Sequence, residues 1–327
     1  MKKTLILTQE DIKNLVSMHD VISVIEKAFR AYGEKTARMP AKIYLDLPEY
    51  NGDFRAMPAY VGSLKSCGMK WVCVYPLNKR FKLPAVMAQI ILNDPRNAYP
   101  LAILEATHLT NMRTGAAGAV AAKYLAKKNS KLVSLVGCGV QAGFQLLALC
   151  EIFKIERVKI WGRSPGEMRD FIKRVKKTGL SITSYGKISE CVKDADIICT
   201  TTPSRKPLVK LEWIKSGVHI NAIGADAPGK EELDPEILKR AKIIVDDCTQ
   251  ALHSGEINVP LRRGIISDKN ILSNLGEIVA GRKKMRREKG DITVFDSTGL
   301  AIQDIAIASF VYKAALRKNK GFWIKFV

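Results

Sequence analysis

The sequence predicts an α/β protein: a Rossmann-type, doubly wound parallel-sheet domain together with a smaller α/β domain. Two observations carry that expectation. The stretch KLVSLVGCGVQAGFQLLALCEIFKIERVKIWGRSP, from Lys131 to Pro165, reads as strand, glycine turn, helix and second strand in one uninterrupted unit. After it, short strand-like runs at 182–185, 196–200, 219–223, 243–245 and 293–295 alternate with helical stretches, the order that builds a parallel sheet with crossover helices.

Taken from the start, MKKTLILTQEDIKNL resembles a signal peptide only for a few residues. Gln9, Glu10 and Asp11 interrupt the apolar stretch, so the chain is expected to be mature and cytoplasmic. Thr8 precedes an amphipathic stretch over 10–33, where Ile12, Leu15, Val16, Val21, Ile22, Ile25, Ala28 and Phe29 recur at helical spacing and predict a helix. Strands are expected at 42–47, 55–61, 69–74, 86–93 and 100–105, each rich in Val, Ile, Leu and Tyr and bounded by Pro, Gly or Asn. An alanine-rich helix over 108–125 leads to the second domain, and a long helix over 301–316 carries the chain back. The expected division is residues 1–118 with 302–327 for the first domain and 119–301 for the second.

Within the Lys131–Pro165 unit, 132–136 suits a buried parallel strand. Gly137 and Gly139 allow a tight turn and close approach of backbone to a pyrophosphate, and Ala142 lets the helix pack on the sheet. The N–H groups and dipole at the helix start would face the phosphates. Glycine turns also arise for packing alone, but here the flanking strands supply the context that a dinucleotide fingerprint requires. The second strand, 157–161, ends in Gly162-Arg163-Ser164 with no carboxylate for a ribose 2′-hydroxyl. Arg163 and Ser164 could instead hold a 2′-phosphate, leaning towards NADP; a solvated loop arginine is the other reading.

Composition narrows the remaining classes. With 47% hydrophobic and 26% charged residues the chain is ordinary for a globular protein, and no apolar run has the length of a membrane span. The formal charge of +21 is dispersed. Its densest run, Gly281 to Lys289, lacks aromatic interleaving and reads as a solvated basic loop, so no specific nucleic-acid partner is expected. Seven cysteines without a CxxC pair read as reduced core residues. His19, His108, His219 and His253 lack metal-ligand spacing, and no metal site is expected.

Six segments together resemble the ornithine cyclodeaminase/mu-crystallin family: Arg55-Ala56-Met57-Pro58-Ala59, Gly68-Met69-Lys70-Trp71, Met112-Arg113-Thr114-Gly115-Ala116-Ala117, Gly137-Cys138-Gly139-Val140-Gln141-Ala142, Gly224-Ala225-Asp226-Ala227-Pro228-Gly229-Lys230 and Phe295-Asp296-Ser297-Thr298-Gly299. They follow the family's order over nearly the whole chain. The runs from Thr200 to Pro207 and from Ser297 to Asp304 are most similar to the family's archaeal alanine dehydrogenases. The resemblance implies a homodimer whose first domain supplies the interface and substrate pocket while the second holds NAD(P)(H).

It also implies site residues. Lys42 and Arg55 would engage a substrate carboxylate, Lys70 would stand beside the reacting carbon, and Arg113 would bind substrate or cofactor. Asp226 matches the family's catalytic carboxylate. Thr114, Gly137, Gly139, Val140, Gln141, Arg163, Ser164, Thr201, Thr202 and Ser297 would line the cofactor. On the residues alone, Lys42 also reads as a surface strand lysine, Lys70 as one snorkelling from a strand edge, Arg113 as a contact residue between domains and Asp226 as a turn residue. Arg55 stands where cyclodeaminases carry an acidic residue suited to a distal amine, which disfavours ornithine. The expected activity is interconversion of L-alanine and pyruvate plus ammonia with NAD(P)(H). Alternatives are ketimine or pyrroline-2-carboxylate reduction, cyclodeamination, and mu-crystallin-like binding of NADPH and a ligand without turnover.

Overall fold

The computed structural model describes residues 3–285 and 288–326. These form two compact units, Met1–Arg113 with Leu300–Val327, and Thr114–Gly299. The division falls inside the helix Thr107–Leu125.

The first unit is built on a mixed eight-stranded sheet. Gly52–Val61, Ser66–Val74, Val86–Asn93 and Pro100–Glu105 run as an antiparallel meander. Thr4–Leu7 lies parallel to Pro100–Glu105, with Phe322–Ile324 antiparallel on its far side. Ala37–Arg38 and Ile43–Leu47 pair with Gly52–Val61 at the other edge. The two-residue period of a strand places Arg55, Met57, Ala59 and Val61 on one buried face, and Gly68, Lys70 and Val72 on the same face of the next strand, with Met57 opposite Lys70. The helix Ala301–Lys318 packs across this sheet and against Met18–Gly33. That contact accounts for glycine at position 68, where a Cβ would collide with the Ile91 carbonyl and lie 3.1 Å from Ile305 Cδ1.

The helix expected over 10–33 is two helices, Gln9–Lys13 and Met18–Gly33. Each starts with its own capping box, Thr8 with Asp11 and Ser17 with Asp20, and the second box restarts the helix after Leu15 has turned into the core. Apolar spacing alone continued through this break because Leu15 and Val16 keep the period. The N-terminal apolar residues, which gave no element in the sequence reading, form the strand Thr4–Leu7, with Leu5 and Leu7 buried.

The second unit is an all-parallel eight-stranded sheet in the order Ser181–Ser184, Arg157–Trp161, Leu132–Val136, Ile197–Thr200, His219–Ala222, Thr293–Asp296, Lys242–Val245, Ile271–Asn274. The doubly wound fold expected from the alternating pattern is thus present. Leu132–Val136, Ile197–Thr200, His219–Ala222 and Thr293–Asp296 are buried at every position, as strands covered on both faces must be. Ile271–Asn274 escaped the sequence reading because ILSN is short and half polar. A separate parallel pair joins Arg205–Val209 to Glu231–Leu233. Strand order reverses at Leu132–Val136, so the crevice for a ligand lies beyond the carboxyl ends of that strand and Ile197–Thr200. His219 is a satisfied core histidine, its two ring nitrogens each 2.9 Å from Thr293 Oγ1 and Asn221 Oδ1. In the basic run, Arg286 and Arg287 lie outside the described residues.

Candidate active site

In the first unit, Lys70 sits on an interior strand and is fully enclosed, so it is not a lysine snorkelling from a strand edge. Its Nζ lies 2.7 Å from Asp304 Oδ2. The other oxygen of Asp304 accepts from Arg113 Nε at 3.0 Å, and Arg113 Nη1 donates to Gln303 Oε1 at 3.0 Å. Arg113 reaches this carboxylate from Thr107–Leu125, while Gln303 and Asp304 lie in the first turn of Ala301–Lys318. Lys42 is near enough to act on Lys70 through its charge. Two buried cations therefore share one buried carboxylate, leaving an excess of positive charge that suits an anionic ligand.

Burial above all, then the positive charge of Arg113, lowers Lys70 from the ordinary lysine value of 10.5 to about 7; the charge and hydrogen bond of Asp304 act against this, and Lys42 adds to the depression. A lysine so placed can both hold and release a proton near neutrality. In the sequence Asp304 is only the last residue of the run from Ser297. The pairing that makes it central is remote in sequence.

Arg55 is also buried, but its guanidinium is engaged by Asp53: Nε is 2.6 Å from Oδ1 and Nη2 is 3.2 Å from Oδ2. It also stands 5.3 Å over the Tyr44 ring. Because the Arg55–Asp53 pair is neutral overall, the repulsion of a distal ammonium expected from Arg55 alone is weakened.

In the second unit, Gly137 has φ +110°, a backbone region that side chains resist, and a Cβ there would lie 2.8 Å from Thr201 Oγ1. Gly139 caps the helix Val140–Ile152 with extended backbone and no side-chain cap, and a Cβ on it would meet nothing within 4 Å. Open space over uncapped helix N–H groups, beside an exposed Val140, fits a dinucleotide pyrophosphate. Gly137 N donates to Trp161 O and Thr201 N to Val136 O, both at 2.9 Å, and Arg174 Nη2 donates to Cys138 O at 2.7 Å, so the turn is tied on three sides. Burial pushes the Cys138 thiol up to about 11, which removes it as a nucleophile in this turn. All seven cysteines are free.

Arg163 is exposed, with Nη2 3.4 Å from Glu167 Oε1, and Ser164 caps Pro165–Val175 by accepting from Glu167 N. Thr202 N donates to Glu232 Oε1 at 2.6 Å. Thr114 O accepts from Gln145 Nε2 at 2.9 Å, and Gln141 lies in the first turn of Val140–Ile152. Ser297 is buried, in a loop held by Asp246, whose oxygens accept from Thr298 N, Thr298 Oγ1 and Gly299 N at 2.6–2.9 Å. In the sequence Asp246 and Glu232 carry no signal, because a carboxylate that anchors backbone looks like any other. Asp226 follows His219–Ala222 in the loop beyond that strand and is ion-paired with Lys230 at 2.6 Å. Lys70 and Asp226 thus belong to different units.

Residues 2–319 match the model of the ornithine cyclodeaminase/mu-crystallin family. The chain belongs to that family. An alanine dehydrogenase of Archaeoglobus fulgidus is 49% identical over 326 residues, 99% of each chain. Among solved structures, an archaeal alanine dehydrogenase dimer with bound NAD is 49% identical with a TM-score of 0.96 and full coverage of both chains. The Thermococcus litoralis Δ1-pyrroline-2-carboxylate reductase, in complex with NADH and L-proline, is 39% identical with a TM-score of 0.95, covering 98% of this chain and 99% of its own. In this family member, no helix among the described residues is long and apolar enough to cross a membrane.

Proposed function

We propose that this chain is a nicotinamide-dependent dehydrogenase that interconverts L-alanine with pyruvate and ammonia. The observation that carries the reading is the buried pairing of Lys70 and Arg113 with the single carboxylate of Asp304, Lys42 adding its charge at Lys70, a charge excess matched to the carboxylate of a short 2-oxo or 2-amino acid. The 49% sequence identity to archaeal alanine dehydrogenase over nearly the whole chain supports it. Lys42 and Arg55 hold the substrate carboxylate, with Arg113 completing the anion site. The Lys70 ammonium polarises the oxygen of pyruvate and then of the carbinolamine, and Asp226 handles the protons of ammonia and departing water. NAD(P)H, when bound, supplies the hydride. Gly137, Gly139, Val140, Gln141, Thr201, Thr202 and Ser297 position it, with Thr114 beside them.

NADH or NADPH oxidation by the purified protein with pyruvate plus ammonia, beside pyrroline-2-carboxylate without ammonia, tests this. Turnover that depends on ammonia is expected. Turnover with the cyclic imine alone would instead establish the second reading, an imine reductase, which the likeness to the Thermococcus litoralis enzyme favours.

For the cofactor, the two solved relatives hold NAD and NADH, while Arg163 leaves this chain a cation for a 2′-phosphate. Replacing Arg163 by Ser is expected to raise KM for NADPH roughly tenfold and leave KM for NADH nearly unchanged, the loss of one charge-assisted contact. Equal effects on both cofactors would make Arg163 a solvated loop residue. We further propose a homodimer formed through the first unit, whose edge strand Ile43–Leu47 leaves Ile43 and Leu45 exposed.

A further inference from the structure

We propose that Glu232, a residue to which the reading above gives no part, is a positioning residue that clasps together the two loops framing the dinucleotide site. The inference rests on the dinucleotide reading of the Gly137 turn. Glu232 lies on the short strand Glu231–Leu233, outside the main sheet, and is fully buried. Its Oε1 accepts from Thr202 N at 2.6 Å and its Oε2 from Gly224 N at 2.9 Å. Those two N–H groups belong to the loops that leave the neighbouring parallel strands Ile197–Thr200 and His219–Ala222. One loop carries Thr201, whose Oγ1 lies against Gly137, and the other carries Asp226 two residues further on.

The loops are as close as backbone permits. A Cβ on Gly224 would collide with Thr202 O and lie 2.6 Å from both Thr202 N and Glu232 Oε2. The amides of these two closely packed loops share one side chain as acceptor, and a carboxylate, with two oxygens and no donor, is the side chain that serves both. Glu232 is itself fixed from behind. Glu256 Oε1 accepts from Glu232 N at 2.8 Å and from Leu233 N at 2.7 Å, and Glu256 N donates to Asp296 Oδ1 at 2.9 Å. Burial and the neighbouring charges of Glu232 and Asp296 push the Glu256 carboxyl well above the usual range, and burial raises the Glu232 carboxyl as well, against the hydrogen bonds from Thr202 and Gly224 that lower it. The clasp is therefore anchored to the carboxyl end of Thr293–Asp296, a central strand of the sheet.

The test is NADH affinity, read by fluorescence titration, and KM for NADH in the holoenzyme, for E232Q and E232D. The amide of E232Q sets a donor against one of the two N–H groups and frees that loop. NADH affinity is expected to fall at least tenfold while thermal unfolding stays cooperative and at a similar midpoint. E232D keeps both oxygens one methylene short and is expected to lose less. A general loss of folded protein would lower the active fraction and leave the KM of the remainder unchanged, so the KM separates positioning from stability. If E232Q fails to fold, E232D carries the test alone. NADH binding by the folded variant within twofold of wild type overturns the clasp; absence of NADH binding by the wild-type protein overturns the dinucleotide reading on which it stands.

Discussion

Lys70→Met is expected to lower kcat/KM for reductive amination of pyruvate by at least about a hundredfold, the usual contribution of a positioned acid. Methionine keeps the length and apolar stem, so the loss isolates the ammonium. In wild type the protonated amine is the form that polarises the carbonyl. With Lys70 at about 7, kcat/KM per unit of neutral ammonia should fall as pH rises through that value, and Lys70→Met should lack the step. A profile that keeps the step in the variant assigns it to another group. The same ionisation acts on stability. The folded protein releases the Lys70 proton near pH 7 while the unfolded chain holds it up to the ordinary value of 10.5, so the unfolded state binds more protons across that window. This group therefore makes stability rise with pH over that range and contributes a constant penalty below it. Denaturant midpoints at several pH values should show that slope in wild type and not in Lys70→Met.

Asp304→Ala is expected to cost about 3–5 kcal/mol of stability, because it leaves Lys70 and Arg113 as buried cations without their shared carboxylate. Asp304→Asn, which retains a neutral acceptor, should cost less. Both remove the charge that holds Lys70 upward against burial and Arg113, so the fall in activity should move to lower pH than in wild type. Denaturation at fixed protein concentration together with the pH–rate profile checks the pair of effects. A stable Asp304→Ala protein with an unmoved profile would show that Asp304 is neither the counter-ion nor the tuning group.

The sequence by itself determined the parallel sheet, the glycine turn and most strand positions. Those features are local: an apolar run such as LVSLV, a positive-φ glycine and a helix start lie within a few residues of one another, and their physical requirements are written in adjacent letters. It also offered Lys70, Arg113 and Asp226, but through likeness to a family, since on its own Lys70 reads as readily as a strand-edge lysine, Arg113 as a contact between domains and Asp226 as a turn residue. What only the tertiary structure decided was which charges meet. Register sets Lys70 on the same face as Arg55, and the return of the last helix brings Asp304 from 234 positions away in the chain to join Lys70 with Arg113. The same holds for Glu232 and Asp246, whose carboxylates serve backbone amides remote in sequence. The split of the first helix was decided by capping, which apolar periodicity does not record. A charge declares its sign in the sequence; whether it is solvated, paired or left to bind a substrate depends on burial and distance, which exist only once the chain has folded.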